Sequence, residues 1–306
     1  MINYIIRRLL MLIPTLVGIT LVSFLILQLV PGDPARTIAG QDAEEEAVEA
    51  LRIRLGLDKP IFLQYCIFLK NVVSGNFGKS ISTQNEVIAE VWPHFLNTVR
   101  LALVSVVISL FVGIGLGTVA AIYQNTTIDH ITMGVVLLGI STPTFWAGLI
   151  IILVFSINLG WFPSGRAEGF SSLVLPAITL AAPAIAMSAR MTRSSMLEVL
   201  RQDYIKTARA KGQKESKVIY KHALKNALIP TITIVGLQFG YLMGGSVLVE
   251  VIFTWPGLGR LIVSSISARD YPLVQGGVLF FAFSFILVNL LVDILYTYLD
   301  PRITYE

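Results

Sequence analysis

Six stretches without a charged side chain recur along the sequence, at 9–32, 101–128, 130–165, 169–189, 226–249 and 271–292. Each holds the roughly 20 apolar residues that carry an α-helix across about 30 Å of hydrocarbon. The run at 130–165 is long enough for two crossings, but Gly160, Pro163, Ser164 and Gly165 read as a turn outside the membrane. One crossing is therefore expected there. Pro143, inside Ser141-Thr142-Pro143-Thr144, predicts a kink in that third span, and Pro176 and Pro183 predict kinks in the fourth. The pattern describes an all-α polytopic membrane protein with about six transmembrane helices.

Between the apolar runs, two polar stretches are long enough to form structure of their own. In 31–97, Asp42 and Glu45 have the spacing of a capping box, Val48, Leu51 and Leu55 recur at helical intervals, and Gly56 is placed to end that helix. A second helix is expected from Ile61 to Val73, stopping at Ser74-Gly75. The other stretch, 191–226, carries nine Lys or Arg between Arg193 and Lys225 against three acids, Glu198, Asp203 and Glu215. The chain accordingly divides into an N-terminal segment with the first span (1–30), a helical insert (31–97) and a five-helix core (98–306) whose polar loop lies at 191–226.

Composition agrees: 55 % hydrophobic and 14 % charged residues with a mean hydropathy of +0.74 exclude a soluble domain. Arg7 and Arg8 precede the first span, and Lys and Arg in short loops mark the cytoplasmic side. Six spans then place 125–130 and 191–226 inside, 31–97, 160–172 and 252–272 outside, and both termini in the cytoplasm. No cleaved leader is expected, because the apolar run after Arg8 exceeds the ~7–15 residues of a signal peptide. The net charge of +4 sits mostly in the inner loop, so it reports topology rather than nucleic-acid binding.

Chemistry of the enzymatic kind is hard to find. Gly78-Lys79-Ser80 resembles the end of a phosphate-binding loop, but Val73 stands where the first glycine belongs. His94, His130 and His222 lie far apart without metal-ligand spacing, and Cys66 is the single cysteine. No nucleophile motif is present. Two carboxylates, Glu250 and Asp293, fall at the edges of apolar runs, where a structural ion pair is the plainer reading and a proton path the sharper one. Clustered glycines, Gly113, Gly115, Gly117, Gly244 and Gly245, suit close helix packing.

The basic stretch predicts two short helices, about Ser194–Lys211 and Ser216–Leu228, broken at Gly212. Lying on anionic lipid would explain the charge. It would not call for a tight glycine turn flanked by Thr207, Ala208 and Ala210, which suits a short helix end seated in a groove of another protein.

At these residues the sequence resembles the permease subunits of binding-protein-dependent ABC importers, in the dipeptide, oligopeptide, glutathione and nickel branch. The likeness is carried by Asp203 to Gly212, followed by His222-Ala223-Leu224-Lys225-Asn226-Ala227 and Pro230, and by Trp255-Pro256-Gly257-Leu258-Gly259-Arg260. Tyr4 to Leu9, Pro14, Pro31-Gly32-Asp33-Pro34, Gly75-Asn76-Phe77-Gly78, Leu175-Pro176 and Asp270-Tyr271-Pro272 extend it along the chain. The usual Glu-Ala-Ala opening of the importer signature is Lys206, Thr207 and Ala208 here, with Gly212 retained. The resemblance implies a type I ABC importer permease fold with a cytoplasmic coupling helix, in a bacterial inner membrane. Lys206, Thr207, Ala208, Arg209, Ala210, Lys211 and Gly212 would meet the ATPase, while Glu250, Trp255, Pro256, Gly257, Gly259 and Arg260 would form an outer loop or gate. It further implies a second permease subunit, two ATPase subunits that bind the ATP, an external solute-binding protein, and no cofactor on this chain. The rival reading, an ion-coupled carrier, would need Glu250 or Asp293 in its pathway and an internal inverted repeat, which is not evident.

Overall fold

A computed structural model describes residues 2–29, 34–40, 43–165 and 169–299, with side chains at 10–25, 35–36, 39–40, 43–53, 56–165, 169–232, 234, 238–288 and 290. Pro31 to Asp33 and Asp42, and the side chains of Tyr4 to Leu9, Pro34 and Asp293, lie outside the described residues. The elements described are helices, apart from one antiparallel bridge between Lys79 and Glu86. In chain order they are α1 (Ile2–Leu29), α2 (Pro34–Ala39), α3 (Glu45–Leu55), α4 (Ile61–Val73), α5 (Val87–Ile122), α6 (Thr127–Ser141), α7 (Thr144–Ile151), α8 (Ser171–Leu200), α9 (Asp203–Ala210), α10 (Glu215–Lys217), α11 (Leu224–Ile252), α12 (Leu258–Ser267) and α13 (Tyr271–Leu299). Wider π-helical turns extend α7 over Ile152–Asn158 and join α10 to α11 over Val218–Ala223.

Among the described residues α5, α8 and α13 are long and apolar enough to cross a membrane, and α6 taken together with α7 and its π-helical turns meets the same measure of length and composition. α1 and α11, of 28 and 29 residues, coincide with the first and fifth apolar runs. The chain forms two compact units, 1–96 with 257–287 and 97–256 with 288–306.

In the first unit, α4 lies beside α1: Tyr65 and Phe68 stack on Phe24, and Tyr65 Oη shares a 2.9 Å hydrogen bond with Thr20. α3 ends at Gly56 in the left-handed region, φ +72°, as its glycine predicts. At its N-terminus the N-cap position is Glu44, without a side-chain cap. A cluster of Val87, Val91, Leu258 and Leu273, with Phe77, Phe95 and Phe280, forms the core. There Gly276 is required, since a Cβ would stand 2.4 Å from Val87 Cγ1. Asp270 is buried between α12 and α13; Ser80 Oγ donates to it at 2.5 Å and Ser82 N–H at 3.0 Å. Ser80 is thus a structural residue, and Gly78-Lys79-Ser80 closes a turn rather than a phosphate loop.

In the second unit α8 is the hub, packing against α6, α7 and α11. On α5, Gly113 and Gly117 meet the backbone and small side chains of α8, where a Cβ on Gly117 would stand 2.5 Å from the Ala189 carbonyl oxygen. Gly115 and Gly244 face open space and play no such part. α8 remains one helix through Pro176 and Pro183.

Two sequence expectations change here. Pro143 does more than kink the third span: α6 ends at Ser141, α7 starts at Thr144, and the two are bent by 108°. Proline offers no N–H and drives the preceding residue out of the helical region, and Thr142 indeed stands at φ −83°, ψ 124°. The expected helix Ser194–Lys211 is also interrupted, since α8 runs to Leu200 and Gln202, at φ −69°, ψ 149°, precedes a separate α9. Downstream of Gly212, by contrast, the helical path runs from Glu215 through the π turns and Pro230 to Ile252 without a break.

Candidate functional site

α9 starts with Asp203 in its first turn and carries Arg209 in its last, each charge suited to the helix dipole. Ile205 and Ala208, three apart on one face, are its buried residues. They join Ala121 at the end of α5, Met196 of α8, Val218, Ile219 and Ala223 of the π turns, and Ala227 of α11 in one apolar cluster. Lys206, Thr207, Arg209, Ala210, Lys211 and Gly212 are exposed around the remaining circumference. Of the seven residues singled out from the sequence, Ala208 therefore anchors the helix inward and the other six form its outward surface.

Side-chain bonds staple this turn. Arg209 Nη2 donates to Glu215 Oε1 at 2.6 Å, spanning Gly212. His222 Nε2 pairs with Gln213 Oε1 at 2.8 Å, and Asn226 Nδ2 donates to Tyr204 Oη at 2.8 Å. Gly212 has φ +72° and its N–H donates to the Arg209 carbonyl at 2.9 Å, a conformation that disfavours any side chain and excludes proline. Being about half exposed, the Arg209–Glu215 pair contributes only ~0–1 kcal/mol, so its effect is positional. The shared hydrogen bond holds the Glu215 carboxyl below its ordinary pKa and raises Arg209 above its own.

At the far end of α11, Glu250 is fully buried and accepts from Thr98 Oγ1 at 2.6 Å and Ser246 Oγ at 3.0 Å. These two hydroxyls belong to α5 and to its own helix. Trp255 Nε1 donates to the Asn97 carbonyl at 3.2 Å, and Asn97 Nδ2 donates to the Pro256 carbonyl at 3.0 Å, so Trp255 and Pro256 are latched to the same stretch of α5. Gly257 is the N-cap residue of α12, Gly259 is buried in its first turn, and Arg260 is half-buried beside it.

Two features escape a reading of the sequence. Asp129, buried at the start of α6, takes both Arg193 Nε at 2.8 Å and Arg193 Nη2 at 2.7 Å from α8, with Asn125 N–H at 2.9 Å. A signal did exist, because Asp129 is a lone acid between two long uncharged runs. The second is Gln238 in the middle of α11, whose Oε1 is buried without a hydrogen-bond partner. One glutamine among apolar neighbours carries no such signal.

Comparison with known proteins fits this geometry. Residues 113–305 match the family model for the inner membrane component of binding-protein-dependent transport systems, and 1–102 match its N-terminal counterpart. The chain is 44 % identical over 333 aligned positions to the dipeptide transport system permease protein of Alkalihalophilus pseudofirmus. It is 45 % identical over 306 positions to the glutathione transport system permease protein of Escherichia coli strain K12. Both alignments cover the whole of each chain. In fold it is similar to the MetNI methionine ABC transporter in an inward-facing conformation, with a TM-score of 0.59 and 18 % identity over 70 % of this chain and 97 % of that one. An amino acid ABC transporter solved with histidines gives 0.54 and 15 % over 69 % and 94 %. These matches run along the whole length of a helical, multi-pass protein, and the chain belongs to the family of binding-protein-dependent transport system inner membrane components, the permease subunits of ABC importers.

Proposed function

We propose that this chain is the permease subunit of an ATP-driven importer of small peptides, of dipeptide or glutathione size, delivered by an external solute-binding protein. The observation that carries the reading is α9: a helix buried on Ile205 and Ala208, exposed elsewhere, and stapled to α11 through Tyr204–Asn226 and to α10 through Arg209–Glu215. A push on its outward face is delivered to α11 and, through Met196, to α8 without being absorbed locally. Small displacements of that kind shift packed helices between discrete arrangements.

In this reading ATP is bound and hydrolysed by two partner subunits seated on α9, and a second permease completes the path. The chain itself binds no cofactor, both termini lie in the cytoplasm, and the latch of Glu250, Trp255 and Pro256 sits at the outer end. The full-length likeness to dipeptide and glutathione permeases supports the cargo class.

Reconstitution tests it. The chain, its partner permease, the ATPases and the binding protein are placed in liposomes, and peptide-stimulated ATP hydrolysis is measured for wild type and Gly212→Pro. Hydrolysis that requires the binding protein and is lost in the variant, with the variant still inserted in the membrane, supports the reading. Peptide uptake by this chain alone, without ATPases, overturns it.

A further inference from the structure

The 108° break between α6 and α7 opens a cavity of about 400 Å³ against α8 and α11, lined by Thr144, Pro183, Met187, Gln238 and Tyr241 among others. Its size falls within the roughly 300–1,000 Å³ of small-molecule sites. Fourteen residues of α11 lie on each side of Gln238 (224–237 and 239–252), so the carboxamide stands at mid-span. Irregular backbone such as Thr142-Pro143 persists at membrane depth where it is packed in protein or borders a cavity.

Gln238 Oε1 is buried and lacks a hydrogen-bond partner. In a closed core this is the costly choice, since a leucine of similar size would remove the unmet acceptor. An acceptor kept at the wall of a cavity of molecular size is matched by a donor that arrives from outside the chain. Tyr241, 79 % exposed on the same wall, adds a hydroxyl that is not consumed by the fold.

We infer that the elbow cavity is a cargo subsite in which Gln238 Oε1 accepts an N–H of the passing peptide, an assignment that rests on the peptide-importer reading above. The N–H comes from a backbone amide or from the terminal ammonium, two sources of one chemistry.

The test uses the complete transporter in liposomes with three probes: dialanine, its analogue N-methylated at its single amide, and its analogue lacking the terminal amino group. Gln238→Leu is expected to raise the half-saturating concentration of dialanine about 5- to 20-fold, the loss of one desolvated hydrogen bond. Tyr241→Phe, at an exposed position that leaves the fold intact, should raise it about two- to threefold. The binding protein reads the peptide too, so the decisive quantity is the cycle of ligand and protein changes. The analogue missing the N–H that Gln238 accepts should lose its extra penalty in Gln238→Leu, and which analogue does so identifies the source. Unchanged saturation in both variants, or penalties for both analogues that persist in full, overturns the subsite while peptide import stands. Wild-type complex that takes up no peptide overturns the import reading, and the subsite falls with it.

Discussion

The basic turn and the elbow cavity belong to the same unit and treat their polar groups in opposite ways. Around Gly212, where water would satisfy any donor or acceptor, Arg209 is nonetheless tied to Glu215, Gln213 to His222 and Tyr204 to Asn226. At mid-span, where an unmet polar atom is expensive, Gln238 is left open. Rigidity is placed where a partner is expected to push, and vacancy where a molecule is expected to pass. The contrast separates the two tasks: a coupling element gains from having one conformation, whereas a site along a path must be incomplete until its ligand arrives.

The largest effect should come from breaking the polar closure that joins α6 to α8. Asp129→Ala leaves Arg193 without its described carboxylate partner. Removing one member of a buried pair costs ~3–5 kcal/mol, and about 2–4 is expected here because Arg193 is 27 % exposed. Thermal unfolding of the purified protein in detergent reads the loss, and Arg193→Met in the same chain should recover most of it. Absence of recovery would mean that the pair does not act as a unit.

Next comes the turn itself. Gly212→Ala keeps the N–H that donates to Arg209 but must hold φ +72° with a Cβ, at about 1–2 kcal/mol. Binding of the ATPase subunits should weaken about tenfold, in keeping with that cost. Equal binding in both proteins would show that the partner does not read the turn.

A smaller effect is expected from Glu215→Gln, since an exposed pair carries ~0–1 kcal/mol. Its diagnostic is pH. The Glu215 carboxyl is held below its ordinary value in the fold, so its contribution is present above the unfolded pKa and is lost as pH falls through the depressed one. ATPase docking should therefore weaken on acidification through the carboxylate range, and Glu215→Gln should flatten that part of the profile. A profile identical in both proteins would assign the pH dependence to another group.

What could be read from sequence follows the same division. Uncharged runs, the glycine at 212 and the glycine at 56 act locally, through hydrophobic length and positive φ, and both are visible residue by residue. The packing of Gly113 and Gly117 on α8 was half legible, because Gly115 in the same cluster faces open space. The 108° elbow was legible only as a kink, since whether a proline bends or breaks a helix depends on what packs around Thr142. Staples such as Tyr204–Asn226 and the Asp129–Arg193 pair join residues 22 and 64 apart, and no local pattern announces them. The start of α9 was misplaced for a related reason: Ile205 and Ala208 are drawn into a core built from α5, α8 and α11, which the segment alone does not reveal.

The smallest expected change in stability is the sharpest test of the contrast. If Gln238 served the fold, replacing it would cost ~1–3 kcal/mol, the toll of a lost buried hydrogen bond. Its Oε1 makes none, so Gln238→Leu should leave the unfolding temperature in detergent unchanged or slightly raised, by about 0–1 kcal/mol of relieved desolvation. The same substitution should impair peptide uptake. Stability and transport would then move in opposite directions at Gln238 and together at Asp129. A clear fall in the unfolding temperature of Gln238→Leu would place that carboxamide among the structural groups and remove the difference between the two regions.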